Sequence, residues 1–365
     1  MRRTLMALAG AALAAQAPVT APATTADGFT VARPGCVYRF PADHGAHPDY
    51  RTEWWYLTGH LWDGAGKRVG FQLTFFRQAA PHAAWTGNAA WRSDQLILAH
   101  ATLTDEAAGR FTFDERLNRE GLAAGAAAGK LEVFDESWRL EQRPDGGLDL
   151  AMDVKGSALT LRLQPQTPPV IFGEDGVSRK GADPTATSHY VTFPRLAASG
   201  ELRAPGKAPR ALSGQVWMDH EWSSNYLASD QVGWDWAGIQ LKDGRSLIAF
   251  RLRRRDGSQD PWSTVQMVDP DGHITATTRA FAMAAEGAWA SPTSGARYPM
   301  PVRLEAFGQT FRLVPTLQDQ ELRTGRSTGI TYWEGDCRVL DASGAEIGEA
   351  YLELTGYAEG LKGRF

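Results

Sequence analysis

Apolar and polar residues alternate along most of the chain, in runs too short for amphipathic helices. The segments 69–77 (VGFQLTFFR), 96–103 (LILAHATL), 246–253 (SLIAFRLR) and 263–268 (STVQMV) are rich in β-branched and aromatic residues. That composition and period belong to strands. Segment 148–163 reads as two strands turned at Gly156-Ser157. Asp-Gly pairs punctuate the runs at Asp63-Gly64, Asp145-Gly146, Asp175-Gly176, Asp243-Gly244, Asp256-Gly257 and Asp271-Gly272. Such pairs favour the positive φ angles of hairpin turns. Helical periodicity is scarce. Segment 120–128 is alanine-rich, but Gly121 and Gly125 interrupt it, so a short helix or a loop is expected there. The pattern predicts an all-β chain of barrel or sandwich type rather than a parallel α/β sheet.

The pattern also repeats. From Trp54 to Arg77 the chain has a tryptophan pair, a glycine, a leucine, Asp63-Gly64, a basic residue and an apolar strand ending in arginine. From Trp234 to Arg253 the same order returns, with Trp236, Gly238, Leu241, Asp243-Gly244 and Arg245. Two similar antiparallel lobes are therefore expected, over residues 36–204 and 210–365. The polar stretch Pro205-Gly206-Lys207-Ala208-Pro209 would join them.

Residues 1–26 read as a signal peptide and leader. Arg2 and Arg3 precede the short apolar run 5–15, and small residues follow at Ala12-Leu13-Ala14 and Ala15-Gln16-Ala17. Export to the periplasm or beyond is expected. No later run is long and uncharged enough to span a membrane. With 38 basic and 42 acidic residues well mixed, nothing points to nucleic acid. The cluster Arg251, Arg253, Arg254 and Arg255 reads as a solvated strand edge. Cys36 and Cys337 form either one disulfide or two separate thiols.

Several motifs occur in a fixed order: Glu53-Trp54-Trp55-Tyr56-Leu57-Thr58-Gly59-His60; Ser188-His189-Tyr190; Gly214-Gln215-Val216-Trp217-Met218-Asp219-His220-Glu221-Trp222; Gly233-Trp234-Asp235-Trp236; and Tyr332-Trp333-Glu334-Gly335. In this order the chain resembles the AttH and carotenoid 1,2-hydratase group of lipocalin-like proteins, often labelled predicted secreted hydrolases. The resemblance runs from about residue 36 to the C-terminus. It implies two tandem lipocalin-like, calycin-type antiparallel barrel lobes. It also implies a pocket for an apolar small molecule, and either hydratase-type or hydrolase chemistry.

Asp219-His220-Glu221-Trp222 is the leading chemical candidate. On a strand Asp219 and Glu221 share one face, and His220 and Trp222 the other. Histidine titrates near neutral pH, and a desolvated indole attracts a cation by about 2 kcal/mol. Adding water to a C=C bond needs such a proton donor and such a surface. The resemblance places acid and cation-stabilising roles on His220 and Trp222, with Asp219, Glu221 or Asp235 orienting the imidazole. Trp234-Asp235-Trp236 stands where the hydratase branch carries a Tyr-x-Asp pair. Glu53 forms a second candidate, with Trp55 on its own face and Trp54 and Tyr56 on the opposite one. Burial among aromatics would raise its pKa and suit a general acid, whereas pairing with an arginine such as Arg51 would make it structural. Trp54, Trp55, Tyr56, Trp217, Trp222, Trp234, Trp236 and Trp333 are the expected ligand-lining residues, in barrels sized for one small ligand.

No cofactor is expected. Gly64-Ala65-Gly66 lacks dinucleotide-loop spacing. His44-Gly45-Ala46-His47 with Asp49 offers metal-ligating atoms without a closed ligand set, so no metal is expected. A non-catalytic lipid or pigment carrier, serving an envelope transport partner, is the alternative to an enzyme.

Overall fold

The computed structural model describes residues 22–80 and 94–361. Most of the signal-peptide segment therefore lies outside the described residues. No α-helix occurs among the described residues, and the helical content there is a single 3-10 turn at Ala42–His44. No described helix is long and apolar enough to cross a membrane.

The first sheet opens with four long strands: β1 (Thr52–Asp63), β2 (Arg68–Ala79), β3 (Gln95–Asp105) and β4 (Arg110–Arg119). Shorter strands follow: β5 (Ala124–Ala126), β6 (Glu132–Asp135), β7 (Trp138–Gln142), β8 (Leu148–Val154), β9 (Ser157–Pro165), β10 (Val170–Ile171) and β11 (Ser178–Arg179). Two long strands, β12 (Thr187–Arg203) and β13 (Arg210–Asn225), complete it. The order is β4-β3-β2-β1-β13-β12-β9-β8-β7-β6-β5, with β10 and β11 on β12.

The second sheet uses β14 (Gln231–Leu241), β15 (Ser246–Arg254), β16 (Thr264–Val268), β17 (Ile274–Thr278) and β18 (Ala282–Ala285). A separate ribbon pairs β19 (Ala288–Ala290) with β20 (Arg297–Pro299). Then come β21 (Val302–Ala306), β22 (Gln309–Pro315), β23 (Glu321–Arg323), β24 (Thr331–Leu340) and β25 (Glu346–Leu354). Its order is β17-β16-β15-β14-β25-β24-β22-β21-β18, with β23 on β24. The nine strands of the second order correspond to the first nine of the first, from β4 to β7. In each lobe four consecutive hairpin strands are followed, much later, by a long strand that returns to pair with the first. The sheets curl into two barrel-like lobes, as the alternating pattern and its repeat predict.

Several expectations need correction. Residues 205–209 turn the β12–β13 hairpin rather than joining lobes. β13 lies between β1 and β12, so 210–225 belong to the first lobe and the chain crosses over at 226–230. The fold begins soon after the expected leader and well before residue 36, because Phe29 and Val31 are buried and Thr30 N–H donates to Asp49 O. Segment 120–128 contributes strand β5 instead of a helix or loop. The β15–β16 ladder ends at Phe250, and beyond it Arg251 and Arg253 turn to Asp235 rather than to solvent. Cys36 and Cys337 are separate thiols, one exposed and one buried.

The lobe interiors are packed. Leu57, Phe71, Leu73, Trp138, Leu150 and Met218 belong to the first core; Ile239, Leu247, Leu304, Phe311, Trp333 and Leu352 to the second. The ligand space expected inside a barrel is occupied by these large side chains, as in other small barrels. The outer faces of β1, β13, β14 and β24 are also buried. Strands with two apolar faces need cover on both sides, and each lobe covers the other. Tyr56, Tyr190, Trp217, Trp236, Phe250 and Tyr332 form this third core. Buried ion pairs fasten it: Arg68 of β2 holds Asp336 of β24 through Nε at 2.7 Å, and reaches Glu349 of β25. His60 Nδ1 lies 2.6 Å from the same Asp336.

Candidate functional site

Between the lobes, the third core leaves a cavity of about 50 Å³, room for on the order of four waters or one short apolar group. Trp54, Tyr56, Phe76, Trp234, Trp236 and Phe250 wall it, and four carboxyl groups reach it: Asp219, Glu221, Glu334 and Glu353. Strand alternation explains the selection. Tyr56 pairs with Asp219 and Trp54 with Glu221 across β1 and β13. Glu334 stands directly opposite Glu353 across β24 and β25.

Four carboxyls share this space with one buried lysine. Lys180 Nζ sits 2.9 Å from Glu221, with the ring of Phe250 at 4.1 Å. Burial pushes the Glu221 carboxyl up, and Lys180 and Ser188 oppose that shift. None of the other three forms an ion pair with a described residue, although the charge of Lys180 also reaches Asp219. Burial raises Asp219 to about 7, even though Tyr190, Thr192 and Trp217 donate to it at 2.5, 2.8 and 2.8 Å. Burial likewise raises Glu353 to about 7, against the donated Trp234 Nε1–H. Glu334 lies well above the usual carboxylate range, through burial and then the charge of Glu353. Its Oε1 accepts from Tyr56 at 2.6 Å. Its Oε2 is buried without a hydrogen-bond partner among the described residues. Two buried carboxyls facing each other across an aromatic cleft strongly disfavour a second charge. Glu334 is therefore a neutral acid with an unused O–H at the cavity wall.

A hydrogen-bonded path leads outward from this wall. Tyr332, which lines the cavity, lies 2.8 Å from His100 Nδ1. His100 Nε2 lies 2.9 Å from Ser327 Oγ, and Ser327 donates to Glu115 at 2.6 Å. Because the Ser327 proton points to Glu115, the ring donates from Nε2 and accepts the Tyr332 proton on Nδ1. Burial holds His100 neutral, with its pKa lowered to about 3.

The sequence-derived candidates separate into three places. Asp219, Glu221, Trp54, Tyr56, Trp234 and Trp236 line the cavity; Trp217 stands behind it and holds Asp219. His220, Glu53, Trp55 and Trp222 face the first lobe instead. His220 stacks on Trp55 at 4.9 Å and is bonded through Nε2 to Glu53 at 2.8 Å. Neither Asp219, Glu221 nor Asp235 orients it. Burial lowers the His220 pKa, against the attraction of Glu53. Burial would also raise the Glu53 carboxyl, but hydrogen bonds from His220 and His47 and the charge of Arg77 hold it well below the usual range. Glu53 is thus a carboxylate bound to Arg77 at 2.8 Å, not a raised general acid, and Arg51 pairs with Asp27. Asp235 faces the second lobe between Arg251 and Arg253, each 3.0 Å away. Trp333 is fully buried in the second core, its Nε1–H on Gln318 O.

Glu334, Glu353, Tyr190, Tyr332 and His100 were not among those candidates. Alternation alone puts Tyr332 and Glu334 on the face opposite Trp333, a signal hidden by the prominence of the indole. Ser327 also carries a signal, since Gly325-Arg326-Ser327-Thr328-Gly329 has Gly-x-Ser-x-Gly spacing. It lies in a loop between two strands rather than on a strand-to-helix elbow.

Comparison with known proteins places this arrangement. The profile of the AttH-like family matches residues 31–357. The crystal structure of an AttH protein from Nitrosomonas europaea is 35% identical, with TM-score 0.80, covering 89% of this chain and 98% of that one. Kievitone hydratase from Nectria haematococca shares the fold at 13% identity and TM-score 0.68, over 93% of this chain and 97% of that one. CghA in complex with Sch210972 shares it at 13% identity and TM-score 0.57, over 92% and 98%. No curated protein sequence matches. With the profile spanning nearly the whole described fold and both lobes reproduced in a relative of one-third identity, the chain belongs to the AttH-like family.

Proposed function

We propose that the chain is exported and that its interlobe cavity takes a small or slender apolar, unsaturated molecule, to which Glu334 donates a proton. The observation that carries this reading is the unpartnered Glu334 Oε2 on an aromatic wall. Protonating a C=C bond moves the Glu334 proton to carbon and leaves a carbocation. The new carboxylate and the faces of Trp54, Trp234 and Trp236 would stabilise that cation. Water adds to the cation and returns its extra proton to the Glu334 carboxylate, which completes a hydration; loss of a different carbon-bound proton to the same carboxylate completes an isomerisation. The fold shared with a protein named kievitone hydratase supports this class of chemistry. The Tyr332–His100–Ser327–Glu115 path supplies a route for proton exchange with solvent.

A test follows from the geometry. Apolar molecules retained by the purified protein are identified by mass spectrometry, and turnover is followed with the five-carbon diene isoprene in heavy-oxygen water. Glu334→Gln should keep retention and abolish label incorporation, while His100→Phe should slow it. Retention without turnover in the native protein would favour the carrier reading, in which the cavity only holds its ligand for an envelope partner. Absence of any retained or turned-over apolar molecule would sink the proposal.

A hydrolase reading has its own observation, the 2.9 Å contact between Ser327 and His100. It is weaker, because the Ser327 proton is committed to Glu115 and a histidine lowered to about 3 is a poor base at neutral pH. A fluorophosphonate probe decides it, since labelling at Ser327 would revive that reading.

A further inference from the structure

Four of the chain's eight histidines, His44, His47, His189 and His220, gather at one end of the first lobe. Trp222 is the hub: His47 stacks on it at 3.9 Å, His220 lies at 4.7 Å and His189 at 5.4 Å. This end faces away from the acidic cavity and plays no part in the chemistry proposed there.

Three ligand atoms converge in it. His47 Nδ1 and His220 Nε2 each lie 2.8 Å from the same oxygen, Glu53 Oε1, and all three atoms fall within 4.8 Å of one another. They come from three separately anchored pieces of chain: the loop before β1, β1 itself and β13. The other carboxylate oxygen, Oε2, is already held, by Arg77 Nε at 2.8 Å and by the His47 backbone N–H at 2.9 Å. Oε1 is thus left pointing at both imidazoles.

We infer that His47, Glu53 and His220 form a binding site for a divalent transition ion of the zinc class. Two imidazoles and one carboxylate make the three-ligand set of open, four-coordinate zinc sites. Metal–ligand distances of about 2.0–2.2 Å set tetrahedral ligand atoms about 3.3–3.6 Å apart, so each nitrogen, now 2.8 Å from Oε1, has to retreat by about 0.5–0.8 Å. A ligating histidine usually gives its second N–H to a carboxylate; Asp43 Oδ1 lies 3.7 Å from His47 Nε2, within reach of a small rotation, while His220 Nδ1 is buried without a hydrogen-bond partner among the described residues. His47 Nδ1 and His220 Nε2 now face Glu53 Oε1 as hydrogen-bond donors, so each imidazole moves its proton to its other nitrogen, or releases it, when the ion binds. His47 keeps 19% of its side chain exposed while Glu53 is fully buried, so the ion would arrive over the His47 edge and keep its fourth position there for water.

The test uses the full-length protein after dialysis against chelator. Zinc is titrated calorimetrically against a competing chelator, and cobalt is added in parallel for its visible absorption. One ion per chain is expected, with the intense cobalt bands of a four-coordinate site. Asp43→Asn should weaken binding about tenfold, and His47→Ala, at the exposed edge, should weaken it more. His189→Ala, a neighbour outside the ligand set, should leave the affinity unchanged. Circular dichroism checks that each variant is folded. Absence of stoichiometric binding in the native protein, or equal affinity in folded His47→Ala, overturns the site. Either result leaves the cavity chemistry of Glu334 untouched, because the two sites share no residue.

Discussion

Two buried glutamates show how far surroundings decide chemistry. Glu53 and Glu334 are both 0% exposed, yet one is held as a carboxylate and the other as an acid. Glu53 receives donors from His47, His220 and Arg77, whereas Glu334 faces another carboxyl and receives one phenol. The two should therefore respond oppositely to removal of charge. Glu53→Ala leaves Arg77 buried without its partner and should cost about 3–5 kcal/mol, read from the urea midpoint at pH 7. Glu334→Gln replaces a neutral acid with a neutral isostere and should change stability by less than about 1 kcal/mol. Equal losses in the two variants would refute the assignment of their charge states.

At the scale of strands, alternation was legible in the sequence and openness was not. The split of Asp219 and Glu221 from His220 and Trp222 follows from the two-residue period alone, and the β1–β13 pairing realises it. Which face borders a cavity depends on contacts between residues far apart, such as Tyr56 with Glu334, and no local pattern encodes those. For the same reason tryptophan was a poor guide. Trp54 and Trp234 reach the cavity, whereas Trp55 and Trp333, one residue from lining positions, fill lobe interiors. Close approach between strands adds a constraint that glycine alone meets. A Cβ on Gly238 would lie 2.6 Å from the Trp236 ring and 3.0 Å from Trp217. Gly238→Ala should then destabilise by about 1–3 kcal/mol and alter tryptophan fluorescence through displaced indoles. Gly64→Ala, where a Cβ meets nothing within 4 Å, should stay within about 0.5 kcal/mol of the native protein.

On the scale of the whole molecule, the lobes are joined by a surface that holds both buried ion pairs and excess buried acid, and the two act in opposite pH ranges. At that surface Arg68 with His60 holds Asp336, and inside the first lobe Arg77 with the imidazoles holds Glu53, far below the usual carboxylate range although burial opposes it. Groups depressed in this way add stability above their unfolded pKa, near 4, and lose it as pH falls. Asp219 and Glu353 are raised to about 7, and Glu334 is raised as well. The folded chain then binds protons that the unfolded chain has released, so stability falls as pH climbs from about 4 to 7. The buried histidines His44, His100, His189 and His220, whose pKa values burial lowers, act the other way and add stability as pH rises towards about 6.5, so the carboxyl contribution is read from the difference between a variant and the native protein. Thermal melts across pH 3 to 8 test this. Glu353→Gln removes one raised acid and relieves its partner, so it should flatten the decline above pH 5 by a few kcal/mol while leaving the acid limb in place. Arg68→Met should do the reverse, weakening the acid limb and costing about 3–5 kcal/mol near neutrality. A Glu353→Gln profile that runs parallel to the native one from pH 4 to 7 would mean that the cleft carboxyls are ionised in the folded protein, and would leave Glu334 without a proton to give.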